Sequence, residues 1–265
     1  MCDQKGSFVD DEKLRFDFSW SGALSPEQAQ VEDVVNDHIK QSLPVHAYVA
    51  PLDQAQSICS LRSVFGERYP DPVRVLSVGK DVPTILQDPE NSAWYDVSVE
   101  FCGGTHLTNT SEAESFALLE EGGIAKGVRR IVAVTRGMAR DASDMARSFE
   151  QQLTAADAIN DLSLDALASK ALVRRLSAEL DTSVMSLKSK NKYRVRLAIL
   201  VQKAKVIKKK VMEERVGQAV DMGKTEAEKV KESGGDKVVF RKDFGCDAKS
   251  ATKILAEVSK ACPYL

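Results

Sequence analysis

The sequence predicts an α+β protein: strands and helices mix in its first half, and its second half is almost wholly helical. Three features carry this expectation. Short apolar runs of period two alternate with helical runs up to about residue 135. Beyond residue 138 glycine almost vanishes, and Ala, Leu, Lys, Arg and Glu dominate to about residue 230. A short strand-then-helix pattern follows Ser233-Gly234-Gly235-Asp236. At 265 residues the chain is long enough for one or two cores.

The elements follow in order. Leu14-Arg15-Phe16-Asp17-Phe18 alternates apolar and polar, as a half-buried strand does. Ser25-Pro26-Glu27-Gln28 reads as a helix start, with Ser as cap and Pro at the first helical position. Val31, Val34, Val35, His38 and Ile39 then recur at helical spacing. Residues 45–50 predict a strand, and Pro51-Leu52-Asp53 opens a second helix carrying Ala55, Ile58, Cys59, Leu61 and Val64. Residues 73–78 predict a third strand, and Asp88-Pro89-Glu90-Asn91-Ser92 a loop. Residues 97–101 predict a strand that delivers Cys102 and His106 into a glycine turn, and residues 128–135 an apolar closing strand.

In the helical half, Leu162, Leu172, Leu176 and Leu180 mark one helix, and Ser186 to Asn191 a polar break. Leu197, Leu200, Ala204, Ile207 and Val211 follow with 4-3 spacing, the seam of a helical hairpin or short coiled coil. Self-association through this seam is one expectation it raises. Residues 237–240 and 248–260 predict a strand and a helix, too few residues to bury a core independently.

Composition narrows the class. Hydrophobic residues make up 43% and charged residues 29%, which predicts a soluble globular protein with a polar surface. No apolar run approaches the roughly 18 residues of a membrane span, so no membrane partner is expected. The N-terminus has no apolar core of a signal peptide. The five cysteines are odd in number and contain no C-x2-C pair, which suits a reducing, cytoplasmic setting. A net charge of −2 carries no global nucleic-acid signal, so any RNA contact must use local patches. Lys203, Lys205, Lys208, Lys209 and Lys210 form one such patch on a helix, and Arg129-Arg130 supply another pair, one expected to pair internally and the other to face RNA.

The sharpest local signal is Cys102-Gly103-Gly104-Thr105-His106. A Cys and a His four residues apart can present two ligands to one Zn²⁺, though two ligands are only half of a tetrahedral site. The two glycines permit positive φ and a close backbone approach. Glu100 and Thr105 flank the ligands and could orient His106 or a water.

Val99 to Leu107, followed by Gly122-Gly123-Ile124-Ala125-Lys126-Gly127-Val128-Arg129-Arg130-Ile131-Val132-Ala133-Val134-Thr135, resembles the editing domain of the alanyl-tRNA synthetase family, in its eukaryotic cytoplasmic version. The resemblance is dense over about residues 3–140 and loose beyond. It implies the threonyl/alanyl-tRNA synthetase second-additional-domain fold over residues 1–137, a helical linker over 138–232, and a truncated start of the C-terminal, tRNA-contacting domain over 233–265.

In that family this Cys and His bind zinc together with an upstream His-x3-His. Here the histidines are His38, His46 and His106, and no two have that spacing. The family's His-x3-His precedes the segment that matches Asp3-Gln4-Lys5-Gly6-Ser7-Phe8-Val9. The expectation is therefore a partial chain that starts just after its first two ligands, holds zinc weakly by itself, and is inactive alone. Gln4 matches the family's pocket glutamine, and Gly103, Gly104 and Thr105 fall at the substrate.

The activity implied is hydrolysis of the ester in mischarged Ser-tRNA(Ala) and Gly-tRNA(Ala), with tRNA(Ala) as partner and Cys102, His106 and Gln4 as the working residues. An alanine pocket rejects an added hydroxyl by only about 10²-fold, which is why a second hydrolytic site is needed. A free-standing trans-editing hydrolase and a non-catalytic tRNA-binding or dimerisation module are the competing readings.

Overall fold

The computed structural model describes residues 2–23, 30–64, 66–157, 166–234 and 248–261. It is an α+β structure. Among the described residues eight strands, β1 (Gln4–Val9), β2 (Leu14–Ser19), β3 (Val45–Ala50), β4 (Leu61–Arg62), β5 (Val73–Val78), β6 (Ser98–Phe101), β7 (Phe116–Ala125) and β8 (Val128–Thr135), form two four-stranded sheets. The helices are α1 (Val31–Gln41), α2 (Leu52–Gln56), α3 (Val82–Gln87), α4 (Arg136–Asp157), α5 (Ala166–Thr182), α6 (Leu187–Glu232) and α7 (Ala248–Ala261). The chain divides into two compact units: residues 1–151 with 182–193, and residues 152–181 with 194–265.

Both sheets belong to the first unit. One has the order β1-β2-β8-β7 with antiparallel neighbours. Its β7–β8 pair is covered on both faces, because alternate side chains point to opposite sides. Phe116, Leu118 and Ala133 pack with Ile39 of α1, while Ala117 and Val134 pack with Ala139 and Ala142 of α4. Asn36 clips α1 to the sheet: its amide nitrogen donates to the Phe116 carbonyl at 2.8 Å and its oxygen accepts from the Phe116 N–H at 2.9 Å.

The other sheet has the order β3-β5-β6-β4, with β4 parallel to β6 and the remaining pairs antiparallel. Its core joins Val73, Val75, Val99 and Phe101 to Ala55, Ile58, Val82 and Ile85. α3 starts on Asp81, whose carboxylate accepts from the Thr84 N–H at 3.0 Å and satisfies a free donor of the first turn.

The strands expected at residues 14–18, 45–50, 73–78, 97–101 and 128–135 are present, as are the helices near 31–39, 172–180 and 248–260. The second helix is far shorter than its spacing predicts. It ends at Gln56, and Leu61–Arg62 pairs with β6 instead. Ile58 and Leu61 serve the sheet's core, so packing overrides local periodicity there. The polar break also falls earlier: α5 ends at Thr182 and α6 already starts at Leu187. The strand β1 and the ten-residue strand β7 were not anticipated, whereas α4 opens the stretch expected to be helical, starting at Arg136. The expected helix cap at Ser25-Pro26, Leu162 and the strand at 237–240 lie outside the described residues.

In the second unit Leu153, Leu176, Leu180, Leu197 and Leu200 are buried. Of the 4-3 series, Leu197 and Leu200 are buried while Ala204, Ile207 and Val211 are half-exposed. Arg196 pairs with Asp157 at 2.5 Å, and Gln152 donates to Glu179 at 2.6 Å.

Candidate functional site

β6 ends at the buried Phe101, and the chain turns at once through Cys102, Gly103 and Gly104. Cys102 is half-buried and residues 103–107 are exposed. A Cβ placed on Gly104 would meet His106 Cε1 at 3.6 Å and Cys102 Sγ at 3.7 Å. Both candidate ligands thus flank the same point, and Gly104 leaves that point empty. Neither Gly103 nor Gly104 has a positive φ. The expected left-handed turn is therefore absent, and what Gly104 contributes is space.

The turn is braced by a residue that the sequence pattern did not single out. Arg74, half-buried on β5, donates Nη1 to the carbonyls of both Cys102 (3.4 Å) and Gly104. A single guanidinium nitrogen carries two N–H groups and so reaches both carbonyls. The available signal was an Arg inside an otherwise apolar strand. Tyr69 is the second unanticipated neighbour. Its ring meets Phe101 edge-on at a centroid distance of 4.8 Å, and burial pushes its phenol pKa up, with the nearby Cys102 adding to the rise.

Beyond the turn, Thr105, His106 and Leu107 line a cavity of about 650 Å³. Its other walls are the β1–β2 turn, Val9 to Leu14, and the start of α4, Arg136 to Met138. That β-turn is pinned by Asp10, whose carboxylate accepts from the N–H groups of Lys13 (2.7 Å) and Glu12 (3.0 Å). The Lys13 bond foremost holds the Asp10 pKa below the ordinary carboxylate range. On the far side Arg136 Nε donates to the Glu112 carbonyl at 2.9 Å.

Gln4 lies on β1, opposite Phe18, next to an irregularity in pairing before Gly6. Its amide donates to Ser7 Oγ at 3.0 Å. The structure thus brings together Cys102, Gly104 and His106, and it puts Thr105 and His106 on one cavity wall; Gln4 and Cys102 are not among the residues that line that cavity. Glu100 is exposed on β6, paired in register with Arg62 of β4.

Of the two expectations for Arg129 and Arg130, internal pairing of one holds and exposure of the other to RNA fails. Arg129 and Arg130 are both paired internally, Arg129 with Glu121 and Arg130 with Asp17. Gly123 makes room for the first, since a Cβ there would meet Arg129 Nη1 at 3.2 Å. Neither arginine is therefore free to serve as the RNA-facing one.

Among the described residues no three His, Cys, Asp or Glu side chains come together to hold a metal. His38 is exposed on α1, and its carbonyl accepts from Thr110 Oγ1. His46 pairs with Ser77, which in turn pairs with Val99, so it sits two strands over and three residues back from Cys102. At about 4.8 Å per strand and about 3.4 Å per residue, that is on the order of 14 Å away. Cys102 Sγ and His106 Cε1 both lie within 3.7 Å of the Cβ position of Gly104, but a stable zinc site takes three or four protein ligands. Among the described residues, Cys102 and His106 supply two of the ligands such a site needs.

The family described as the threonyl and alanyl tRNA synthetase second additional domain matches residues 73–132, a span that includes Arg74, Cys102 and His106. A mitochondrial alanine–tRNA ligase of Saccharomyces cerevisiae is 54% identical over 156 residues, covering 58% of this chain and 16% of its own length. The chain is similar to one part of the alanyl-tRNA synthetases. A cytoplasmic alanine–tRNA ligase of Dictyostelium discoideum is 48% identical over 56% of this chain, and 16% of the ligase is covered. For an alanine–tRNA ligase of Schizosaccharomyces pombe the identity is 40% over 74% of this chain and 20% of the ligase. This chain therefore spans about a sixth to a fifth of the three synthetases named here, and the first unit carries an editing-type domain. No described helix is long and apolar enough to cross a membrane.

Proposed function

We propose that the first unit is the proofreading module of an alanine–tRNA ligase, hydrolysing the ester of Ser-tRNA(Ala) and Gly-tRNA(Ala). The observation that carries the reading is the convergence of Cys102 Sγ and His106 on the gap at Gly104, inside the segment that matches the editing-type domain. In this reading Cys102 and His106 are two of the zinc ligands of a longer chain that also carries the family's His-x3-His. The ion, when bound, supplies Lewis-acid polarisation at the ester or at a water.

The chain's own residues do the rest. Arg74 holds the turn so that Cys102 and His106 keep their places. Gln4, anchored on Ser7, offers its carboxamide to the hydroxyl of a misattached serine, and Gly103, Gly104 and Thr105 allow the terminal ribose a close approach. A site that hydrogen-bonds the serine hydroxyl leaves those groups unpaired with alanine, which protects correctly charged Ala-tRNA(Ala). The partner is tRNA(Ala), and the compartment is the cytoplasm, as the name of the Dictyostelium relative states for that protein.

The test compares this chain with a longer one that places a His-x3-His segment ahead of residue 3. The longer chain is expected to retain zinc and to release labelled serine from Ser-tRNA(Ala) far faster than alanine from Ala-tRNA(Ala). The present chain is expected to retain little zinc and release little serine. Replacing Cys102 with Ala in the longer chain is expected to abolish both zinc retention and release. Full release after that replacement, or equal rates for the two lengths, would overturn the zinc-centred reading in favour of a module that only holds tRNA.

A further inference from the structure

The ligand turn is held from both faces of its sheet. Val75 of β5 pairs in register with Phe101 of β6, so these two side chains share one face. Arg74 and Cys102, each one step along its strand, fall on the other. From there Arg74 holds the carbonyls of Cys102 and Gly104. The group that meets the turn's entrance on the Phe101 face is Tyr69, in the loop between β4 and β5.

Phe101 is the last residue of β6 and belongs to the buried core of that sheet. The half-buried Tyr69 packs on the same core, and its ring meets the Phe101 ring with the planes at 61°. An edge-on contact of this kind fixes orientation as well as distance, because the positive edge of one ring seeks the negative face of the other. Tyr69 is fixed in its turn. Its hydroxyl accepts from the Val64 N–H at 2.8 Å and donates to a Glu67 carboxylate oxygen at 3.3 Å. The Glu67 N–H donates to the Val64 carbonyl at 3.2 Å, which closes the loop on itself. A ring held at its hydroxyl end thus abuts the residue just before Cys102.

We propose that Tyr69 is a positioning residue for the Cys102 side chain, acting through Phe101. By fixing where β6 ends, it directs the Cys102 sulfur to the point beside Gly104 that His106 also flanks. The inference rests on the editing reading for its purpose, since a metal ligand works best when neighbouring packing holds it in place before the ion arrives. The division of labour is then clear. Arg74 restrains the backbone after Phe101, and Tyr69 restrains Phe101 itself.

The test measures iodoacetamide alkylation of the full chain by peptide mass spectrometry, with Cys59 as internal reference. Cys59 is half-buried in the same unit, follows the core residue Ile58, and donates Sγ to the Asn91 carbonyl at 3.3 Å. Tyr69→Leu keeps apolar bulk and removes both ring and hydroxyl; Tyr69→Phe keeps the ring. Tyr69→Leu is expected to speed Cys102 about fivefold relative to Cys59, while Tyr69→Phe stays within about twofold of the native chain. Acceleration of Cys59 and Cys102 together would show only a loosened core and overturn the proposal. So would an unchanged ratio in Tyr69→Leu, or equal ratios in the two variants, which would take the role away from the ring. A longer chain carrying His-x3-His and loaded with Co²⁺ keeps the two readings apart. Its thiolate-to-cobalt charge-transfer band is expected to persist in Tyr69→Phe and to weaken in Tyr69→Leu. Absence of the band in the unsubstituted longer chain would overturn the zinc-centred reading, and the Cys102 to Cys59 ratio would still decide the role of Tyr69.

Discussion

Arg130 grips Asp17 at two points across the β2–β8 pair, donating Nε and Nη2 to the two carboxylate oxygens at 2.7 and 2.8 Å. Asp17 is one of few buried charged residues in the described structure, 6% exposed, and it lies under Gly6 of β1, whose added Cβ would meet its Oδ2 at 3.6 Å. The pair therefore ties β2, the neighbour of the strand that carries Gln4, to β8. The Arg130 hydrogen bonds hold the Asp17 pKa below its ordinary value. A carboxylate depressed in the folded state stabilises above its unfolded pKa, near 3.9, and that stabilisation is lost as pH falls through the folded value. Asp17→Asn is expected to cost roughly 2 kcal/mol at pH 7. In urea titrations the gap between native and variant should close as pH drops below about 4. A gap that is constant from pH 7 to pH 2 would show that the ion pair does not contribute through its charge.

Glu32 should behave in the opposite sense. It accepts from the Leu118 N–H at 2.8 Å, and burial raises its pKa above the usual carboxylate value. A raised acid favours the fold fully only below its unfolded pKa and loses that contribution as pH rises through the folded value. Glu32→Gln keeps an oxygen for Leu118 and removes the titration. Its melting temperature relative to the native chain should therefore climb between pH 4 and pH 7.5. A flat or falling difference would mean that the carboxylate is well solvated as an anion.

Arg74 should control how tightly the ligand turn is held. Arg74→Met removes both donors to the carbonyls of Cys102 and Gly104. Alkylation of Cys102, followed by peptide mass spectrometry, is expected to speed up several-fold, whereas Cys2, already exposed, should keep its rate. Arg74→Lys should recover only part of the protection, since an ammonium on a flexible stem is held less firmly than a planar guanidinium. Unchanged Cys102 reactivity in Arg74→Met would show that the turn holds its shape without the brace.

The helical unit offers a graded test of burial. Leu200 is 7% exposed and its neighbour Ile199 is 52% exposed. Leu200→Ala is expected to cost roughly 2–4 kcal/mol through the lost apolar contact and the cavity left behind. Ile199→Ala should stay within about 0.5 kcal/mol. Similar costs at the two positions, read from the helical signal during thermal melting, would place the seam in solvent.

The sequence by itself determined the elements whose pattern is local. Alternation in Leu14 to Phe18 and Val73 to Val78, helical spacing in Val31 to Ile39, and the flanks of Cys102 and His106 are properties of neighbouring residues, and they survive folding. Only the tertiary structure decided the rest. Residues 116–125 read as neither helix nor half-buried strand, because β7 is covered on both faces and its outer end needs Glu121 and Gly123 for Arg129. Leu61 left its helical register because a parallel strand was available beside β6. Arg129 and Arg130 look like RNA-facing cations in one dimension, and Glu121 and Asp17 claim them in three. In the Lys203 to Lys210 run, likewise, Lys205, Lys208 and Lys209 line a cleft that Lys253 and Ser250 complete from more than forty residues away. Contacts between distant segments carry no local period, so the chain's one-dimensional pattern could not announce them.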